Sequence, residues 1–150
     1  MKRNVKTLFL LFIIALIIVF ACLNTLMSRP KTDYSLHMNS RWNIEIDKQD
    51  QVIEYKHSEL GFQQDGDRIF VLSGISDQTL NMFRENSEES VMPKKLITSI
   101  ISNVDSFQKL KNTPNLDDCH LICFKPLEFK TLIVIYDSSS SLYFVLSRII

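Results

Sequence analysis

Three glycines, four prolines, three cysteines and one tryptophan are all that this chain of 150 residues holds of those types. Nothing in it matches a phosphate loop, a nucleophile elbow or a zinc helix, so the nucleotide and catalytic sites recognisable from spacing alone are excluded. Two of the cysteines, Cys119 and Cys123, stand four positions apart in an apolar stretch read as a strand. That spacing is roughly 13 Å, beyond the ~7 Å Cα separation that a disulfide tolerates. A local bridge is excluded, and the domain is expected to fold without disulfides. Acidic residues are missing altogether from the first thirty positions.

Those positions hold a basic tip, Lys2, Arg3 and Lys6, and then an unbroken apolar run from Leu8 to Leu23. Taken from Thr7 to Met27, the segment reaches roughly 30 Å as a helix at about 1.5 Å per residue, the thickness of a bilayer's hydrocarbon core. Residues 1–30 are therefore predicted to be a signal anchor or a lipoprotein signal, and residues 31–150 a single domain. Basic residues crowd the short leading segment, which assigns it to the cytoplasm and the domain to the far side of the cell membrane. Within the run, Ile18-Val19-Phe20-Ala21-Cys22 resembles a bacterial lipobox, which makes Cys22 a candidate for lipidation. Phe20 is bulky for that pattern, and Leu23 to Met27 prolongs the apolar run as a spanning helix does. Both readings hold the domain at the same membrane face.

The net charge of zero hides an asymmetry. All seventeen acidic residues follow Lys31, whereas only thirteen of the seventeen basic ones lie from Lys31 onward, so the exported part carries −4. A mildly acidic domain is a poor partner for nucleic acid. The membrane, through the anchor, and an unidentified protein or envelope component are the partners expected. No cofactor is expected.

Periodicity supplies the fold class. Tyr34 to Ser40 is read as a polar connector. Trp42, Ile44 and Ile46 alternate with polar residues as a strand does, Asp47 to Asp50 is a turn, and Gln51 to His57 returns as a second strand of the same hairpin. Gly61, Phe62, Asp65, Gly66 and Asp67 form a glycine turn, because the Asp-Gly step places glycine where φ is positive at no steric cost. It feeds a strand from Arg68 to Ser73, ended by Gly74. Ser76 caps a short helix with Asp77 in its first turn and Ile75 placed to staple onto Leu80. A polar loop from Ser87 to Ser90 follows. A longer helix, Lys94 to Lys111, carries Leu96, Ile97, Ile100, Ile101, Val104, Phe107 and Leu110 on one stripe. Three apolar strands close the chain: Cys119 to Phe124, Thr131 to Tyr136 and Leu142 to Leu146, the last two joined through Ser138 to Ser141. Leu132 to Ile135 is apolar throughout and is predicted to be the sheet centre. The class is α+β: an N-terminal anchor helix, then an antiparallel sheet with two helices packed on one face.

On the Leu60-Gly61-Phe62 and Asp65-Gly66-Asp67 turn, and on the closing Ile135-Tyr136-Asp137 to Leu142-Tyr143 hairpin, the chain resembles a group of small membrane- or lipid-anchored proteins of Gram-positive bacteria. Members often carry a second glycine where Leu60 stands and a Trp shortly before the proline matching Pro93, where this chain has Val91-Met92. The resemblance implies a compartment and brings no activity with it.

Several residues invite chemistry. Cys119 beside His120 has the composition of a nucleophile and base, but adjacent strand residues point to opposite faces. Asp47, Asp50 and Glu54 lack the ligand spacing and central glycine of a calcium loop and are read as a solvated turn. Asp65 and Asp67 are likewise read as soluble carboxylates, and His37 and His57 have no partner at metal-ligand spacing. Two functions remain. One is a non-enzymatic module binding a protein, peptide or envelope component through the sheet or the Gly61 to Asp67 turn. The other is an envelope hydrolase whose groups, drawn from Asp65, Asp67, His57 and His120, converge only in three dimensions.

Overall fold

The computed structural model describes residues 13–19, 31, 33–59 and 65–150. Within the apolar run, residues 13–19 are helical, and all seven are exposed. Among the described residues no helix is long and apolar enough to cross a membrane. The rest of the expected anchor, Cys22 included, lies outside them.

Residues 33–42 form a helix, α1, whose second half, Met38–Trp42, widens into a π-helix. This corrects the reading of Tyr34 to Ser40 as a connector. Tyr34, Met38 and Trp42 recur every four residues, and the wider turn keeps all three on one side, where they are buried. Asn43 ends the helix in the left-handed region at φ 54°, and the Asn43 and Ile44 amides close onto Asn39 and Met38.

The predicted hairpin of Trp42–Ile46 with Gln51–His57 does not form. Residues 43–47 carry no regular secondary structure, and Ile44 and Ile46 pack into the core cluster that α1 shares with the sheet. Their alternation reported one covered side, which a core segment supplies without any strand partner. Strand β1 (Gln51–His57) pairs instead with β2 (Gly66–Gly74), placing His57 opposite Arg68. Gly66 opens β2 at φ 125°, a backbone conformation that glycine takes at no steric cost.

Helix α2 (Asp77–Glu85) starts as expected: the Ser76 hydroxyl accepts from the Thr79 amide at 3.2 Å. Helix α3 (Lys94–Phe107) is a turn shorter than predicted. Its end is set by carboxylates. Asp105 accepts from the Leu110 amide at 2.9 Å, and Glu54 of β1 takes the Lys111 and Asn112 amides at 2.8 and 3.1 Å, so the chain leaves the helix extended. Leu110 is still buried, but Phe107 at the helix end is exposed.

Strands β3 (Cys119–Leu127), β4 (Lys130–Asp137) and β5 (Leu142–Ile149) complete an antiparallel sheet of order β1-β2-β5-β4-β3. The central strand is β5, not Leu132–Ile135 of β4, because β5 pairs with β4 across the serine hairpin and with β2 on its other side. Both faces are covered, which corrects the one-sided packing. Phe70, Leu72, Leu132, Val134 and Val145 share one cluster with Tyr34, Met38 and Trp42 of α1 and Phe83 of α2. Ile69, Val71, Ile133, Ile135, Phe144 and Leu146 meet Ile97, Ile100 and Val104 of α3 on the other. Strands covered twice must be apolar at every position, and this accounts for the continuous runs. A register shift between Leu121 and Cys123 breaks the alternation in β3, so Cys119 packs towards the α3 face and Cys123 towards the other. Both thiols are free.

Candidate functional site

Strand alternation turns Asp67 and Arg68 to opposite faces of the sheet, so these adjacent opposite charges do not pair with each other. Asp67 faces α3. It is 3% exposed and is held in a two-point ion pair, Arg148 Nε to Oδ1 at 2.6 Å and Nη2 to Oδ2 at 2.7 Å, with Asn103 donating to Oδ2 at 2.9 Å. It is a structural carboxylate, not the soluble turn residue expected.

Arg68 faces α1 and is also 3% exposed. It lines a cleft of about 710 Å³ between α1 and the β1–β2 pair, together with Asp33, Leu36, His37, Ser40 and Arg41 of α1 and Tyr55 and His57 of β1. The Tyr55 ring stacks on Phe70 with centroids 4.6 Å apart. Its pKa is raised chiefly by burial, against the lowering effect of the Arg68 charge and of a hydrogen bond with Arg68.

The two histidines of this cleft are both committed. The His37 Nε2 lies 3.0 Å from the Ser147 hydroxyl, and burial, then the charges of Arg68 and Arg41, hold its pKa down at about 3. It is neutral at physiological pH. The His57 Nδ1 is 2.7 Å from the Ser58 carbonyl and its Nε2 3.2 Å from the Gln108 amide nitrogen. Those partners assign the proton to Nδ1 and leave Nε2 accepting from Gln108. Both rings are thus tied to protein partners.

The other predicted residues do not converge here. His120 is in β3, the edge strand farthest from β1, and lines a separate groove of about 300 Å³ with Tyr136, Tyr143 and Arg84. Cys119 and Cys123 have pKa values pushed up to about 11, mainly by burial, so neither thiol is a ready nucleophile. Asp65 is half-buried beside Gly66, while Gly61 and Phe62 lie outside the described residues. Asp50 and Glu54 are buried, correcting the solvated turn: Asp50 accepts from the Ser76 amide at 2.8 Å, and Glu54 carries the 111–112 amides. Among the described residues no cluster of three or more His, Cys, Asp or Glu could hold a metal ion.

Sequence reading missed Arg41, Arg68, Ser40 and Tyr55. Two signals pointed to them. Tyr34, Met38 and Trp42 at a spacing of four mark a buried helix face with Ser40 and Arg41 beside it. Arg68 heads the otherwise apolar run Ile69-Phe70-Val71-Leu72, where a charge entering a core strand needs a reason. Comparisons with protein-family models, with curated proteins and with solved structures each return no match.

Proposed function

We propose that this chain is a membrane-anchored, extracytoplasmic binding module without catalytic activity, akin in compartment to the anchored Gram-positive proteins it resembles. The observation that carries this reading is the cleft itself. It is open, polar and walled by three elements, and ring nitrogens of both its histidines are taken up by protein partners: His37 Nε2 by Ser147, His57 Nδ1 and Nε2 by Ser58 and Gln108. A concave site with convergent polar groups and engaged histidines is suited to holding a ligand rather than to transforming it.

The membrane part rests on the basic tip and on the apolar run, of which residues 13–19 are helical and left uncovered by the domain. Seven consecutive exposed apolar residues are costly in water and stable in lipid. The domain then faces outward, and the anchor is the spanning helix Thr7 to Met27.

The full chain is expected to stay with membranes through a high-salt wash, with an intact mass that retains Met1 or a conventional start. A mass beginning at an acylated Cys22 would replace the spanning helix by a lipid anchor. Purified in micelles, the chain should leave ester, amide and glycoside model substrates unchanged. Turnover lost in His57→Ala or His120→Ala, with the fold intact, would put the hydrolase in place of the binding module.

A further inference from the structure

The cleft has a chemical bias. Arg41 on α1 and Arg68 on β2 share its lining with Ser40 and Tyr55, while Asp33 is the one acidic residue among the described residues that line it. Arg68 is almost wholly inside the protein and still faces this space. A guanidinium held in a low-dielectric wall acts on a ligand far more strongly than one in water, and its planar fork matches oxyanion geometry. The charges reach across the cleft: after burial, Arg68 and Arg41 are what keep His37 from taking a proton. The lowered His37 pKa reflects a positive potential on the α1 side, where Ser40 and Arg41 also stand.

We infer that this cleft binds a phosphate group, with Arg41 and Arg68 as its cationic contacts and Ser40 and Tyr55 as hydroxyl donors. Phosphate suits the arrangement better than carboxylate because the donors come from three separate elements, α1, β1 and β2. Donors on three walls can approach a tetrahedral anion from several sides, whereas a flat carboxylate is met edge-on. The inference rests on the reading of the chain as a binding module. It names that module's ligand chemistry, and the phosphate is either free in solution, as in a soluble or polymeric ligand, or carried on a lipid headgroup.

The test uses the full chain in phosphate-free maltoside micelles, followed by nuclear magnetic resonance at Ser40, Arg41 and Tyr55. Inorganic phosphate should give saturable shifts at these positions, and acetate much weaker ones. Arg41→Gln should weaken phosphate binding at least tenfold, and Arg41→Lys should recover part of the loss. Arg41 is chosen over the more buried Arg68 so that the fold survives, and Lys94→Gln, on α3, should bind as the unmodified chain does. A further arm places the chain in discs containing phosphatidylglycerol with no free phosphate: the same shifts there assign the phosphate to a headgroup, and their absence assigns it to a soluble or polymeric ligand. The inference is overturned if phosphate produces no saturable shift in either setting, if Arg41→Gln binds as tightly as the unmodified chain, or if acetate does as well as phosphate. Without turnover, any of those results removes only the ligand, whereas His57-dependent turnover removes the binding module itself.

Discussion

The two ends of the sheet bury their carboxylates in different ways. At the end where β2 begins, Asp67 is neutralised by a cation, Arg148, with Asn103 in support. At the opposite end Asp137, 1% exposed, has no cation in its cage: it accepts from the Ser139 amide at 2.9 Å, the Ser139 and Ser140 hydroxyls at 2.7 and 3.0 Å and the Asn115 amide at 3.1 Å. Burial pushes the Asp137 carboxyl up, but these donors outweigh it and hold the pKa at about 2. The difference is in what each carboxylate leaves behind when it is removed. Arg148 would be stranded as a charge largely inside the protein, whereas the serine hairpin is exposed and its donors can turn to water.

The largest expected effect follows from that contrast. Asp67→Ala should cost about 3 kcal/mol, the low end for breaking a buried pair because Arg148 is partly exposed and keeps Ser99 as a partner. Asp137→Ala should cost about 2 kcal/mol. Urea melts of the two variants measure the gap, and an equal loss would mean that the neutral cage holds its charge as firmly as the ion pair.

Acid should separate the ends again. His37 has a folded pKa of about 3 against an ordinary 6.5, so the unfolded chain takes the proton first. Its contribution is complete above pH 6.5 and is lost as pH falls towards 3, at up to about 1.4 kcal/mol per pH unit. Asp137, at about 2 against 3.8, contributes fully above pH 3.8 and loses that contribution as pH falls through 2. Asp50, its pKa raised chiefly by burial, works in the opposite sense, so each slope is read as a difference between the unmodified chain and one variant. His37→Gln should flatten the stability curve between pH 6 and 4, and Asp137→Asn only below about pH 4. A curve unchanged between pH 6 and 4 in His37→Gln would mean that its ring is not kept neutral by the cleft.

The smallest effect probes the start of β2 at the Asp67 end. Gly66 at φ 125° tolerates no side chain without strain, so Gly66→Ala should lower stability by about 1 kcal/mol or more. A melting temperature equal to the unmodified chain's would show that the first strand pair relaxes around the substitution.

How much of this was legible in the sequence depends on how far each signal reaches along the chain. Gly66, the Ser76 cap, the stripe of α3 and the three closing strands are local: a φ value, one hydroxyl, a period of 3.6 or a run of apolar residues declares them within a few positions. The longer helix overran because its stripe continues to Leu110, while Glu54, fifty-seven positions away from Lys111, is what draws the chain out of it. Of the candidate site, His57 was named for a catalytic role and has both ring nitrogens beside the partners Ser58 and Gln108, and His37 was named for no role at all. Asp67 was read as a soluble turn residue and is instead a buried residue of β2.

The sequence by itself determined the apolar leading run, the acidic balance of the domain, the α+β class and the absence of a local disulfide, since each follows from composition or short-range spacing. Only the tertiary structure decided that β5 lies at the centre, that helices cover both faces, and that Arg68 opens into a cleft while its neighbour Asp67 closes onto Arg148. The reason is physical. A strand's alternation sends adjacent side chains to opposite faces, but which face meets α1 and which meets α3 is set by β2 pairing with β5, a contact between residues more than seventy positions apart that no local pattern encodes.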